Sequence, residues 1–144
     1  KLVCRLIDER YPDYENVIPN DNSNSVTLDR SEILGSLKRI SIYANKTTNQ
    51  VRLKISGSEI LISAEDLDFS NEANERISCE HDGDDIEIGF NAKFLIEMLS
   101  NLTSEKISFK LSEPNKAGLI VPGEISDEED ITMLVMPVML NDNA

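Results

Sequence analysis

A strand followed by a capped amphipathic helix is the clearest pattern in the chain. Apolar side chains occupy every second position of residues 86–90, the alternation of a half-buried strand, predicted here over 84–90. Asn91 then stands where an N-cap belongs, because its side-chain oxygen can accept a hydrogen bond from the first turn. The apolar residues after it recur at helical spacing and predict a helix over 91–102. These residues are Phe94, Leu95, Met98, Leu99 and Leu102.

The same unit occurs earlier in the chain. A short strand ends at Leu28, Asp29 is the predicted N-cap, and a helix is expected to run to about Ala44. The apolar face of this helix consists of Ile33, Leu34, Leu37 and Ile40. When Asp29 is aligned with Asn91, the apolar faces of the two predicted helices coincide.

Three further strands are predicted after each helix. They cover 51–55, 60–63 and 73–80 in the first copy, and 107–111, 118–121 and 131–138 in the second. Each copy is therefore a strand, a helix and three strands. The fold class that follows is α+β, with two helices packed on one face of eight strands in antiparallel sheets.

The chain before the first copy has a different character. Residues 1–8 alternate loosely and predict a strand, whereas Pro12 and Pro19 bracket an extended or turn segment. Residues 19–25 contain only Pro, Asn, Asp and Ser, a composition typical of a linker, so we expect a domain boundary there. The chain begins at Lys1 rather than Met, which suggests an excised piece.

Length and composition are those of a globular domain. The 144 residues suffice to bury a core, and a hydrophobic content of 40% is ordinary. No apolar run is long enough for a bilayer and no secretion leader is recognisable, so we expect a cytoplasmic protein. Cys4 and Cys79 lack metal-like spacing and are expected to be reduced. The net charge of −13 argues against extensive phosphate binding, although a local basic face is compatible with an acidic total.

Residues that could carry chemistry are few. His81 is the single histidine and precedes an Asp-rich turn, without the spacing of a zinc site or an EF-hand loop. No Ser, Cys or Thr stands in a nucleophile context, and no glycine-rich phosphate loop occurs. Residues 127–130 are a run of carboxylates, which is usually a solvated loop. We expect no metal, no cofactor and no catalysis; a small hydrolase or metal enzyme has no specific support.

The C-terminal run 131–140 is almost entirely apolar, as in a strand buried on both faces. Pro137 cannot donate to a central ladder and favours an edge position. Met133, Met136 and Met139 would give that edge an adaptable apolar surface suited to peptide binding. Burial in the core is the competing interpretation.

Two groups of residues lie off the predicted apolar faces. Lys38, Arg39 and Lys93 either serve solubility or contact phosphates without reading bases. Ile42 and Tyr43 are exposed by helical phase, which indicates either a subunit contact or a stray surface pair.

Four segments together resemble one known family. They read RLIDERYPDYENVIP, EIGFNAKFLIEMLSNL, LSEPNKAGLIVP and LVMPVML, and they resemble the beta subunit of bacterial DNA polymerase III, the sliding clamp. The likeness runs the full length of the chain in order. It implies that residues 1–19 are the tail of the middle clamp domain, 20–25 a linker, and 26–144 the third, C-terminal domain. The DNA-clamp fold is a ring of two subunits with three such domains each, whose helices line the hole around duplex DNA.

The resemblance also implies a function without catalysis or cofactor. A clamp encircles duplex DNA, contacts it weakly and without sequence preference, and confers processivity on the polymerase. The DNA polymerase III alpha subunit, the clamp loader and repair polymerases insert short peptide motifs into a cleft between the middle and third domains. Such a protein is cytoplasmic and nucleoid-associated. An α+β protein-interaction scaffold without DNA contact is the alternative.

Carried over by motif, the cleft consists of eleven residues of this chain. They are Pro12, Asn16, Val17, Asn91, Phe94, Ala117, Leu134, Met136, Pro137, Val138 and Met139. Several family members have Arg where this chain has Asn16 and Met139, so the cleft is expected to be more apolar here. The three basic residues named above are expected to face DNA, and Ile42 and Tyr43 to form the subunit interface.

Overall fold

The computed structural model describes residues 1–124 and 126–140, which contain two antiparallel sheets and two helices. The helices are α1 (Arg30–Ile40) and α2 (Ala92–Ser100). Within the described ranges the strands are β1 (Asn24–Asp29), β2 (Gln50–Ser56), β3 (Glu59–Asp66), β4 (Asn71–Ser78), β5 (Glu80–Asp82), β6 (Ile86–Asn91), β7 (Lys106–Leu111), β8 (Gly118–Pro122) and β9 (Met133–Val135). The predicted α+β class is confirmed.

The two repeats exchange their first strands. One sheet has the order β5-β1-β7-β8-β9, and the other has the order β4-β3-β2-β6. The strand that opens the first repeat, β1, therefore pairs with β7 of the second repeat, and β6 of the second repeat pairs with β2 of the first. The five-stranded sheet thus contains β1 and β5 from the first half of the chain, and the four-stranded sheet contains β6 from the second half.

Both predicted N-caps are present. The carboxylate of Asp29 accepts a hydrogen bond from the amide of Glu32 at 2.9 Å, and the side chain of Asn91 accepts one from the amide of Lys93 at 2.9 Å. The hydroxyl of Ser31 also donates to Asp29, at 2.6 Å, and these bonds hold the pKa of the Asp29 carboxyl below its usual value. Each helix thus begins directly at the end of a strand.

Arg30 connects the two helices. Its Nε donates to the carbonyl oxygen of Ser104 at 2.8 Å, and its Nη1 donates to that of Leu99, in the last turn of α2, at 3.2 Å. The first residue of α1 therefore satisfies a carbonyl at the C-terminal end of α2, where cations and donors are favoured.

One continuous core joins both sheets and both helices. Its largest fully buried side chains include Phe90, Phe109, Leu37, Leu95 and Leu99. The burial of β2 and β3 alternates along each strand, so one face of their sheet packs inward. The core fixes α2 by Leu95 and Leu99 and leaves the opposite side of that helix free.

Four predicted elements are wrong beyond differences of one to three residues at helix and strand ends. Residues 1–8 form no strand and are exposed throughout, because no described strand lies beside them to complete a ladder. The helix predicted to reach Ala44 ends at Ile40 and continues as a single 3-10 turn, Ser41–Tyr43. The strand predicted over 73–80 is divided between β4 and β5, which raises the number of strands in the described ranges from eight to nine. The last strand ends before Pro137, which has no amide proton to offer a ladder.

The predicted linker is partly ordered. β1 already begins at Asn24, and the side chain of Asn22 donates to the carbonyl oxygens of Lys110 at 2.9 Å and Ala117 at 3.0 Å. The last four residues of the predicted third domain, 141–144, lie outside the described residues.

Candidate functional site

An open groove of about 380 Å³ lies between α2 and β9. Its lining is mostly apolar. The lining residues are Phe94, Glu97, Met98, Asn101, Met133 and Leu134.

The phase of α2 explains the helical wall of this groove. The cap at Asn91 sets where the helix begins, and the core side chains Leu95 and Leu99 set which face turns inward. Phe94 and Met98 then fall one turn apart on the adjoining face. Phe94, predicted to belong to the buried face, is instead 56% exposed, whereas Met98 is half-buried against the core. Phe94 therefore contributes exposed apolar surface to the groove.

The tail that follows β9 forms the other side of the groove. Leu134 is held at the groove by β8, through pairing with Leu119. Met136 and Met139 are exposed, the latter by 71%, while Pro137 and Val138 are half-buried. Methionine side chains adapt to differently shaped apolar partners, so this surface is suited to apolar peptides.

The remaining cleft residues are not all brought together. Asn91 uses its side-chain oxygen as the helix cap, and Ala117 precedes β8 with its carbonyl bonded to Asn22. Pro12, Asn16 and Val17 lie exposed in the segment before β1. Among the described residues, the hydrogen bonds of residues 1–19 stay within that segment, such as the one from Asn16 to Asp13 at 2.7 Å. In the described part of the chain, the sheets and helices supply one wall of the predicted cleft.

Four groove residues were missed by the motif. Helical spacing predicts Met98 for the core, and Met133 is predicted for the apolar peptide-binding edge of the tail but is not among the cleft residues carried over by motif. Glu97 and Asn101 follow Phe94 by three and seven positions on α2, so helical periodicity could have placed them beside it.

The three basic residues occupy exposed helix positions. Lys38 and Arg39 lie in the last turn of α1, where the helix dipole also favours positive charge. Lys93 lies in the first turn of α2 and is exposed. Arg39 is engaged with Glu75 of β4 in a two-pronged ion pair, which lowers the pKa of the Glu75 carboxyl. The positive charge of Arg39 is therefore partly neutralised by Glu75 and is less available to a phosphate than its exposed place on the helix predicts.

Ile42 and Tyr43 are exposed, as their helical phase predicts. They lie in the 3-10 turn after α1, Ile42 is 65% exposed, and the turn contacts β4, an edge strand of the four-stranded sheet. The turn between β3 and β4 adds Leu67 and Phe69, which are also exposed and which sequence reasoning did not single out.

His81 serves the packing of three segments. Its Nε2 lies 2.8 Å from Oδ1 of Asn24 in β1, and its Nδ1 lies 3.2 Å from the carbonyl oxygen of Gly57 between β2 and β3. Cys79 is buried, and burial raises the pKa of its thiol. Across residues 1–124 and 126–140, no three His, Cys, Asp or Glu side chains converge as metal ligands would. Neither α1 nor α2 is long and apolar enough to cross a membrane, and these are the α-helices of the described ranges.

Solved structures place this fold among bacterial DNA sliding clamps. The sliding clamp (DNA polymerase III subunit beta) of Pseudomonas aeruginosa, crystallised bound to griselimycin, superposes with a TM-score of 0.87 at 32% identity. The match covers 94% of this chain and 36% of that one. The DNA polymerase III beta subunit of Thermotoga maritima superposes with a TM-score of 0.88 at 28% identity, covering 95% and 36% of the two chains.

Sequence comparison identifies the family. The model for the DNA polymerase III beta subunit, C-terminal domain, matches residues 15–139, and the chain belongs to this family. The beta sliding clamp of Pseudomonas aeruginosa is 32% identical over 139 residues, which are 96% of this chain and 37% of that protein. The beta sliding clamp of Synechocystis sp. is 32% identical over 143 residues, 97% of this chain and 35% of that protein. The chain thus spans little more than a third of the relatives that it matches.

Proposed function

We propose that the chain is the third domain of a non-catalytic DNA sliding clamp, together with the tail of the middle domain in residues 1–19 and a linker at 20–25. The observation that carries the proposal is the open apolar groove between α2 and β9 in a chain of this family. The role is mechanical: the protein tethers the replicative polymerase to its template, which requires neither a cofactor nor a reactive side chain.

The groove binds short apolar peptide motifs of the DNA polymerase III alpha subunit, the clamp loader and repair polymerases. Phe94 and the exposed methionines of the tail supply the contact surface. A buried aromatic anchor is the usual centre of such an interface. Pro12, Asn16 and Val17 belong to the opposite wall, which the middle domain contributes.

A ring of two subunits around duplex DNA accounts for the other surfaces. Ile42 and Tyr43, beside the edge strand β4, form the contact with the second subunit. Lys38, Arg39 and Lys93 face the duplex on the two neighbouring helices. Because the net charge is −13, contact with phosphates is weak and independent of sequence, which leaves the ring free to move. The protein functions in the cytoplasm on the nucleoid.

The test is an NMR titration with a short peptide that contains Gln and Leu, as clamp-binding motifs do. We expect shifts confined to the residues that line the groove, such as Phe94, Met98 and Leu134, and to residues 136–139. Phe94→Ala should weaken binding by roughly tenfold or more, since it removes the aromatic anchor. Phe69→Ala is the matched control, because Phe69 is 71% exposed on a different part of the surface and should leave binding unchanged.

Two results would contradict the proposal. Shifts that cluster away from α2 and the tail would show that the peptide binds elsewhere. Equal affinity for the Phe94→Ala and wild-type proteins would show that Phe94 is not the anchor. A scaffold without DNA contact would bind the peptide and yet show no shift at Lys38 or Lys93 with duplex DNA at low salt.

A further inference from the structure

Gly89 is the point where the C-terminal tail meets the four-stranded sheet. It lies buried in β6 and pairs with Arg52 of β2 on one side. On the other side it forms a single bridge with Val138, whose amide donates to the Gly89 carbonyl oxygen at 2.9 Å. The tail leaves the five-stranded sheet after β9 and crosses to the other sheet here.

A side chain at position 89 has no space. A Cβ built on Gly89 would lie 2.6 Å from Cδ2 of Leu140, 2.9 Å from the carbonyl oxygen of Val138 and 3.1 Å from its Cγ2. The Leu140 methyl could rotate away, but the Val138 oxygen is backbone and moves only with the tail. Gly89 is not among the glycines with a positive φ, so the strand geometry itself would accept other residues. Glycine is required at position 89 by the packing of the tail and not by the local backbone conformation.

The tail is therefore fixed at two ends. At one end β9 pairs with β8, from Gly118 with Val135 to Ile120 with Met133. At the other end Val138 is anchored on Gly89. Between these points lie Met136 and Pro137, two of the predicted cleft residues, and Met139 follows directly.

We propose that Gly89 is a positioning residue for the peptide groove, an inference that rests on the proposed function. It touches no peptide itself. Because position 89 has no side chain, the tail can pack against β6, and residues 136–139 are ordered before a peptide binds. Peptide binding therefore does not include the entropic cost of ordering them. A residue larger than glycine at position 89 releases the tail and weakens binding while the core stays folded.

The experiment compares Gly89→Ala with the wild type by isothermal calorimetry and amide hydrogen exchange, using the same Gln- and Leu-containing peptide. We expect affinity to fall about tenfold, the effect of leaving one or two side chains to be ordered on binding. The Val138 amide should lose its protection against exchange, while the amides of Leu95 and Leu99 keep theirs. Gly35→Ala, a change in α1 away from the tail, is the control and should bind as the wild type does.

Val138→Pro provides a second, independent release of the tail. It removes the amide that bonds to Gly89, keeps an apolar side chain and leaves β6 untouched, so it reports even where Gly89→Ala is poorly folded. Adding Leu140→Ala to Gly89→Ala removes the side-chain clash but leaves the one with the Val138 carbonyl oxygen, so the affinity should stay low.

The outcomes separate this role from the proposed function. If the wild type binds, and if Gly89→Ala with an unprotected Val138 amide and Val138→Pro both bind equally well, the positioning role is wrong and the groove assignment stands. If the wild type does not bind the peptide, the proposed function fails, and the positioning role fails with it.

Discussion

Arg39 and Glu75 join α1 to the edge strand β4 through two parallel hydrogen bonds. Nε of Arg39 lies 2.7 Å from Oε1 of Glu75, and Nη2 lies 2.8 Å from Oε2. This geometry matches the planar guanidinium to the planar carboxylate and orients both groups. One of the three cations expected to face DNA is thus already paired within the domain.

Replacing Glu75 should strengthen contact with DNA. Glu75→Gln releases Arg39, and one further phosphate contact makes the slope of log affinity against log salt steeper by about 0.9. Glu72→Gln, on the same strand, removes the same formal charge and is the matched control. Fluorescence anisotropy with a short duplex over a range of low salt concentrations measures both slopes. Identical slopes for the two variants would show that Arg39 does not reach phosphates.

Acid should destabilise the domain through its partnered carboxylates. The Ser31 hydroxyl and the Glu32 amide lower the pKa of Asp29, and the Arg39 guanidinium lowers that of Glu75. A carboxyl whose pKa is lower in the folded state stabilises the fold at pH values above its unfolded pKa. That stabilisation is lost as the pH falls through the unfolded and then the folded pKa. The melting temperature should therefore be level near neutral pH and decline below about pH 4.

Asp29→Asn separates charge from capping in this pH dependence. Asn is an equally good N-cap and cannot titrate, so the variant should melt near the wild-type temperature at pH 7 and lose less on acidification. Asp29→Ala, which removes the cap, should cost about 1 kcal/mol at neutral pH. An Asp29→Asn curve parallel to the wild-type curve at all pH values would assign the acid sensitivity to other groups.

The two sides of α2 should respond differently to truncation. Leu99→Ala removes a fully buried side chain and should lower the free energy of unfolding by about 2–5 kcal/mol. Phe94→Ala, on the exposed side of the same helix, should change it by less than about 0.5 kcal/mol. Urea denaturation followed by circular dichroism measures both. A large loss for Phe94→Ala would mean that its ring supports the fold rather than a partner.

Local features could be predicted from the sequence. The caps Asp29 and Asn91 and the helices after them depend on contacts within a few residues, and the structure confirms them. The resemblance to the clamp family, drawn from four segments, is confirmed by the family match. Within the described ranges, the strand predicted over residues 1–8 is wrong because strand formation depends on partners far away in the chain. A segment such as 1–8 has a strand-like pattern, yet it becomes a strand only where another strand pairs with it.

In the candidate site, too, local features could be predicted from the sequence and contacts between distant residues could not. Pro137 correctly indicated an edge position, since β9 lies at one end of the five-stranded sheet, but the crossing of the tail onto Gly89 joins residues 49 positions apart and leaves no periodic signal. Phe94 fits the helical spacing of a core residue, and its exposure follows from how α2 is rotated by Leu95 and Leu99. Spacing alone does not distinguish the margin of an apolar face from its centre.

Because β1 and β6 are exchanged, each half of the chain depends on the other half to complete its sheet. Neither half of the chain owns a complete sheet, so neither has a finished core to fold around by itself. Cut in the turn between β5 and β6, the halves should behave as complementary fragments that recover structure only when mixed. In the intact chain this mutual dependence makes partial unfolding costly, because detaching one repeat strips a strand from the other.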